Sequence, residues 1–436
     1  MRLFITLCLF ATSFGFASDM PNILSMRERA VVQDRWLDIR LETVMPMLMR
    51  REKIDMWVLI AREYNEDPVV ETMLPATWQS ARRRTILVFF DDGKKVERLA
   101  IARYDIGTFF KKAWDKSKQP NQWARLAELI TDRNPKKIAI NTSVNFGLAD
   151  GLSHSEYLGF YDALNEDQRK RLVSGENLAI GWLETRIPEE MVVYPQICRL
   201  AHDIIAEGFS NVAIQPGVTT TTDLEWWYRE RIRELRFTAW FQPTVRMQRA
   251  SEGEQGNEFS SRPGSNVIMP GDLLHVDFGI TYLTLNTDTQ QHAYVLKVGE
   301  KEAPEGLVKA LAVGNRLQDI LTSHYKTGRT GNDILARTLA QAKDEGIKAT
   351  VYTHPIGFHG HGAGPTIGLW DQQGGVPGKG DYPLYANTAY SIELNAAVQV
   401  SEWNKEIRIM LEEDGYFTGD SFYYIDGRQT ELILID

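Results

Sequence analysis

The sequence predicts an α/β domain over residues 19–186, followed over 187–436 by an α+β domain built from two similar halves. Three observations predict this. Short β-rich runs alternate with helical stretches in the first part. A block of helix, glycine-threonine turn, helix and β-rich segment occurs twice in the second part. The strand-like runs of that second part each carry an acid among apolar neighbours, where burial is costly unless the charge is paired or bound to a metal.

Ahead of both domains, Arg2 supplies a short positive region, residues 3–17 are almost wholly apolar, and Gly15 and Ala17 place small residues before a cut after Ala17 or Ser18. Residues 1–18 therefore read as a secretory signal. An apolar run of about 15 residues falls short of the roughly 20 that span a bilayer. No later stretch is long and apolar enough to be a membrane helix. The expected location is periplasmic or secreted. Of the two cysteines, Cys8 lies in the signal, so the mature chain keeps only Cys198 and has no internal disulfide. Cys198 sits in a helical pattern and reads as core.

In the first domain, 26–49 is a long helical pattern, 56–61, 85–90 and 137–140 are β-rich, and 123–131 is a helix between strands. Ile187-Pro188-Glu189-Glu190 opens another helix, because proline and acids favour the first turn. This places the boundary near 186. In the second domain, helices over 195–208 and 222–235 flank Pro216-Gly217-Val218-Thr219. Helices over 305–325 and 332–345 flank Thr327-Gly328-Arg329-Thr330. In each block the glycine relieves a helix end and Thr or Asp caps the next helix. The β-rich segments 238–245 and 349–353 follow. Two such halves face to face would enclose a cleft at a pseudo-twofold axis. Two ordinary helical hairpins would give the same pattern.

The 43% hydrophobic and 25% charged residues are those of a soluble globular protein. The net charge of -9 argues against a nucleic-acid-binding surface, which needs clustered positive charge. Arg82-Arg83-Arg84 is the only compact basic block and reads as a solvated or salt-bridged face.

Five signals in the second domain carry chemistry. Gly271-Asp272 is a turn, and the strand after it puts His275, Asp277 and Gly279 on one face. Asp288 follows eleven residues on, a spacing that fits a hairpin returning a second carboxylate beside the first. His354, His359 and His361 lie within eight residues among interleaved glycines, which let a backbone approach a ligand closely. Residues 389–395 read as a strand with Glu393 at its centre, and 407–414 as another ending in Glu412, Glu413 and Asp414. Each alone is weak, since a lone acid at a strand end is usually solvated and a lone histidine usually structural. Together, four carboxylates and an imidazole make an oxygen-rich site suited to two ions such as Mn²⁺, Co²⁺, Fe²⁺ or Zn²⁺.

The order of these residues and the eleven-residue step between aspartates resemble the M24 metallopeptidases, the creatinase/prolidase/Xaa-Pro aminopeptidase group with the pita-bread fold. Leu274 to Gly279, Thr287-Asp288-Thr289, His354-Pro355-Ile356-Gly357 with His361, Ser391-Ile392-Glu393 and Leu411-Glu412-Glu413-Asp414 match the family's segments in turn. The resemblance implies a creatinase-like N-terminal domain and a pita-bread catalytic domain holding two divalent ions, with Mn²⁺ the first expectation. It implies that Asp277 chelates one ion, that His354 and Glu393 chelate the other, and that Asp288 and Glu412 bridge them. Glu393 would also take a proton from the bridging water and pass it on. His361 would hold the substrate carbonyl or its oxyanion, and His359, which has no counterpart, would share that work. Glu413 is the alternative to Glu412. Glu412 is preferred because it shares a strand face with Met410 and Arg408 and fits the family run.

Three departures touch the substrate side rather than the metal side. The family's histidine about 17 residues before the first aspartate is absent, and Ser260 stands there. Asp288-Thr289-Gln290-Gln291 lacks the family's arginine. The segment after His354 is unusually rich in glycine and histidine. The implied activity is hydrolysis of short peptides at Xaa-Pro bonds, by an aminopeptidase or prolidase that forms a homodimer. The departures leave two alternatives: a non-peptidase metalloenzyme acting on a small metabolite, and a non-catalytic metal-binding homologue.

Overall fold

The computed structural model describes residues 23–251 and 265–436. The expected signal over 1–18 and Ser260 lie outside the described residues. The chain runs α1 (Met26–Glu52), β1 (Met56–Arg62), a one-turn α2 (Pro68–Glu71), β2 (Arg84–Asp91), β3 (Val96–Ala100), β4 (Lys111–Lys112), α3 (Gln122–Arg133), β5 (Ile138–Ile140), α4 (His154–Ala163), α5 (Glu166–Arg169), β6 (Leu172–Ser174) and α6 (Glu176–Glu184).

The six strands form one mixed sheet in the order β4-β3-β2-β1-β5-β6. β1 is central: its residues 56–61 are all buried, which is why the run reads as continuously apolar. Ser25 caps α1 through a reciprocal pair with Glu28. That helix buries Leu37, Leu41, Val44, Leu48 and their neighbours at three- and four-residue spacing. Within the basic block, Arg84 pairs with the buried Glu156 and Arg82 lies over the Trp78 ring.

The second part runs α7 (Pro188–Gly208), α8 (Thr221–Glu234), β7 (Thr244–Gln248), β8 (Leu273–Phe278), a small hairpin of β9 (Thr281–Tyr282) and β10 (Leu285–Asn286), and β11 (Thr289–Val295). It continues through α9 (Glu305–Ser323), α10 (Gly331–Asp344), β12 (Lys348–Val351), β13 (His354–Ile356), β14 (Thr388–Ser391), β15 (Leu394–Val400), β16 (Lys405–Leu411), β17 (Asp414–Phe417), β18 (Phe422–Tyr424) and β19 (Ile433–Ile435). Three main sheets result, ordered β19-β11-β8-β7, β12-β15-β16 and β13-β14-β17-β18. Thr220 and Thr330 each cap the helix after a glycine turn with their side-chain oxygen.

Three sequence expectations change. The helix expected to begin at 195 is continuous with the one opened at Pro188, and Pro195 is carried inside it. The segment 238–245 is mostly not strand. Thr238 makes one bridge to Thr281 and the strand starts at Thr244, which leaves Trp240 and Phe241 free of a ladder. The expected single strand over 389–395 is two strands in two sheets, β14 and β15, and 407–414 is likewise split into β16 and β17. Among the described residues no helix is long and apolar enough to cross a membrane.

Candidate metal centre

Asp277 leaves the end of β8 opposite Gln290 of β11 and Thr244 of β7. Asp288 stands just before β11, because the chain returns through the β9–β10 hairpin as the eleven-residue spacing predicted. Glu393 occupies the break between β14 and β15, and Glu412 the break between β16 and β17. A two-way backbone pair, Gln290 N to Glu412 O at 2.9 Å and Glu412 N to Gln290 O at 3.3 Å, ties the two hairpins together at this level.

Three overlapping groups of donor atoms lie within 4.8 Å of one another: Asp277, Asp288 and Glu412; His354, Glu393 and Glu412; and Asp288, His354 and His361. His354 Nδ1 is 3.0 Å from its own strand's Pro355 carbonyl. With that nitrogen donating, the lone pair of Nε2 faces inward. There Nε2 is 3.5 Å from Asp288 Oδ2, 3.6 Å from Glu412 Oε1 and 3.9 Å from Glu393 Oε2, with no hydrogen bond. Asp288 Oδ1 is also buried without a partner. Buried polar atoms are normally satisfied. Two orphaned donor atoms facing into a set of buried carboxylates fit a divalent cation.

The electrostatics agree. Burial, then the neighbouring Glu412, pushes the carboxyls of Asp277 and Glu393 well above the usual range. The same two causes, with Asp277 and Glu393 added, raise Asp288. Such a cluster needs protons or metal ions to be stable.

The two neighbouring acids differ in direction. Glu412 accepts from Gln290 Nε2 at 2.7 Å and from the Ser391 hydroxyl, inside the cluster. Glu413 turns away and accepts from His202 Nε2 at 2.7 Å, Gln291 Nε2 at 3.1 Å and Gln429 N at 3.0 Å. Its oxygens are committed to those donors.

His361 stands at the mouth, exposed, its ring edge-on to His354 at 4.7 Å and to Trp240 at 5.0 Å. Although the residue is exposed at the mouth, desolvation by the surrounding walls and then the charge of His354 lower its pKa to about 4, so it is neutral at pH 7. His359 is not brought to the cluster. It lines an adjoining cavity with Trp36, Arg40 and Phe358, and burial followed by Arg186 lowers it to about 4. The interleaved glycines serve packing rather than ligand approach: a Cβ on Gly360 would lie 2.1 Å from the Trp240 ring, and one on Gly357 2.9 Å from the Arg186 guanidinium. Cys198 is a buried free thiol on α7, donating to Asp414 Oδ2 at 3.5 Å and pushed well above its usual pKa by burial.

Sequence reasoning passed over Gln290. Its amide nitrogen donates to Glu393 Oε1 at 2.5 Å and to Glu412 Oε2 at 2.7 Å, and its oxygen lies 2.9 Å from His275 Nε2. The signal was present, since Gln290 lies two residues after Asp288, the spacing that shares a face in extended chain.

The profile of metallopeptidase family M24 matches residues 196–418, just over half of the chain. A search of curated protein sequences gives no match. Among solved structures, the X-Pro aminopeptidase of Thermotoga maritima is similar over 88% of this chain and 99% of its own, at 16% identity and a TM-score of 0.62. The Xaa-Pro dipeptidase of Bacillus anthracis covers 94% of this chain and 100% of its own, at 16% identity and a TM-score of 0.58. A dipeptidase of Mycobacterium ulcerans covers 93% and 98%, at 16% identity and a TM-score of 0.60. At such identities the likeness speaks for the fold, the two-domain pita-bread arrangement.

Proposed function

The chain belongs to metallopeptidase family M24, and on that premise we propose that it hydrolyses short peptides at Xaa-Pro bonds, using two divalent ions with Mn²⁺ preferred. The observation that carries the reading is the pair of orphaned donors, His354 Nε2 and Asp288 Oδ1, facing buried carboxylates. Asp277, Asp288, His354, Glu393 and Glu412 hold the ions. Bound there, the ions supply Lewis-acid polarisation of the scissile carbonyl and acidify the attacking water. The Xaa-Pro preference is taken from the proteins whose folds this chain shares.

The chain's own residues do the rest. Glu393 takes the proton of the attacking water on a carboxylate oxygen and delivers it to the departing amine nitrogen. Gln290 holds Glu393 Oε1, which leaves Oε2 facing the cluster. Neutral His361 donates to the carbonyl oxygen as charge develops on it. Phe146, Trp240, Phe241, Tyr352 and Trp370 wall a cavity of about 500 Å³ over the site and give a proline ring an apolar face.

The test is turnover of a panel of Xaa-Pro dipeptides and oligopeptides by Mn²⁺- or Co²⁺-loaded protein, with Xaa-Ala controls and a chelator arm. Release of the N-terminal amino acid that stops on chelation is the expected result. Stoichiometric metal with no turnover on the panel would sink the peptidase reading. It would favour chemistry on a small metabolite, which Gln290 and Gln291 standing after Asp288 also motivate. A metabolite screen with the same chelator control separates that alternative from a non-catalytic homologue.

A further inference from the structure

A line of buried side chains runs from the carboxylate cluster through Gln290 to His275. His275 lies on β8 and Gln290 on β11, antiparallel neighbours in which Gln290 stands opposite Asp277 and His292 opposite His275. Gln290 Nε2 donates to Glu393 Oε1 at 2.5 Å and to Glu412 Oε2 at 2.7 Å. Carboxylates that hold a cation are ionised, and an ionised carboxylate only accepts. The nitrogen of the carboxamide, and not its oxygen, therefore faces the cluster. The oxygen is left 2.9 Å from His275 Nε2, where it too can only accept, so His275 donates from Nε2. His275 Nδ1 is buried without a hydrogen-bond partner, where an N–H would be stranded. His292 packs ring to ring with His275 at 5.2 Å, but both its nitrogens are committed: Nδ1 donates to Leu274 O and Nε2 accepts from Met410 N, each at 3.0 Å. It offers His275 no other partner.

The terminal torsion of a glutamine is broad and roughly two-fold, so half a turn would exchange Nε2 for Oε1. The carboxylates oppose that turn while their charge is unbalanced. Once divalent ions offset the charge, a carboxamide oxygen is itself a ligand that a hard ion accepts. The N–H of His275 is then what holds the oxygen back. We propose that His275 is a positioning residue: it keeps Gln290 a hydrogen-bond donor to Glu393 and Glu412 and prevents the Gln290 oxygen from becoming a metal ligand. This rests on the metal centre of the reading above and not on its peptide substrate.

The test uses the full chain saturated with Co²⁺, whose visible absorption reports the number and kind of its ligands. Wild type is compared with His275→Phe, His275→Gln, Gln290→Met and the double variant that joins His275→Phe to Gln290→Met. His275→Phe should shift the Co²⁺ bands, and His275→Gln, which keeps an N–H donor, should return them to the wild-type positions. Gln290→Met leaves no oxygen to turn inward, so adding His275→Phe to it should shift the bands no further. Nitrogen NMR of the Zn²⁺-loaded wild type should show His275 protonated on Nε2, a readout that needs no variant to fold. A proton on Nδ1, bands indifferent to His275→Phe, or the same shift from His275→Phe with and without Gln290 would overturn the role. If no peptide is cleaved while the expected spectra are found, the peptidase reading fails and the positioning role stands. A wild type that takes up no divalent ion overturns both.

Discussion

Loading the cluster with a divalent ion should release protons and stabilise the fold. Asp277, Asp288 and Glu393 have carboxyls raised well above the ordinary range by burial and then by the charge of Glu412. A group whose pKa is raised on folding contributes stability that is fully present below its unfolded value, near 4 for a carboxyl, and is lost as pH rises through the folded value. The metal-free chain should therefore be most stable in mild acid and weaken as pH rises toward 8. Metal binding needs these groups ionised, so it should expel about one to three protons near neutrality and tighten as pH rises. At a free-ion concentration about 100 times the Kd, the gain is about 2.7 kcal/mol. For a domain of some 250 residues that corresponds to a rise in Tm of roughly 5–10 °C. Titration of Mn²⁺ in two buffers of different ionisation enthalpy counts the protons. Melting curves at pH 5.5 and 8, with and without chelator, measure the rest. Binding without proton release, or melting temperatures at pH 8 indifferent to chelator, would refute the reasoning.

Four further outcomes follow from particular contacts. Gln290→Ala removes donors from both Glu393 and Glu412 and should weaken metal binding by about 10- to 100-fold in a competition titration, as loss of outer contacts to metal ligands usually does. His202 is pulled down by burial but pushed up more strongly by Glu413 and Asp426, to about 10. Its contribution is therefore complete below about pH 6.5 and lost as pH rises through 10, a fall of about 2–4 kcal/mol in denaturant unfolding that His202→Gln should abolish. Glu190 is fully buried between Arg40 at 3.1 Å and Arg186 at 3.4 Å, so Glu190→Ala should cost about 3–5 kcal/mol in urea unfolding by stranding two guanidinium groups. Cys198, 2% exposed and with a raised pKa, should react with a thiol reagent only as fast as the chain unfolds.

The site was legible where chemistry contradicted its surroundings. An aspartate in Leu-Leu-His-Val-Asp-Phe and a glutamate in Tyr-Ser-Ile-Glu-Leu are conspicuous because apolar neighbours predict burial and a charge resists it. The helices were legible through their caps, since Thr220 and Thr330 act locally on the next turn. The breaks at Ile392–Glu393 and Glu412–Glu413 were not legible. Apolar residues flank the first break on both sides and lead into the second, so each run reads as one strand, and which neighbour a strand pairs with is a long-range fact that periodicity does not carry. The choice between Glu412 and Glu413 failed to close for the same reason, because alternation across a break says nothing about direction. His359 was drawn to the cluster by closeness in sequence to His361, yet only His361 reaches the cavity over the cluster, while His359 lines only the adjoining one.

Those breaks also explain how four buried carboxylates are held together. At a sheet change the backbone belongs to neither ladder, and its polar groups must be satisfied from elsewhere. Here they are: Glu393 N donates to Thr353 Oγ1 at 3.0 Å, Glu393 O accepts from that hydroxyl at 2.9 Å and from Tyr352 N at 3.2 Å, and Ile392 N donates to Glu413 O at 2.9 Å. Glu412 is held on both sides by Gln290 of the facing hairpin. The two glutamates thus sit at a junction of three sheets, held by backbone hydrogen bonds that form without any ligand. A loop bearing the same acids would splay them apart under mutual repulsion. A junction fixed by ladders on every side keeps them within reach of a shared cation, and that rigidity is the fold's contribution to the chemistry.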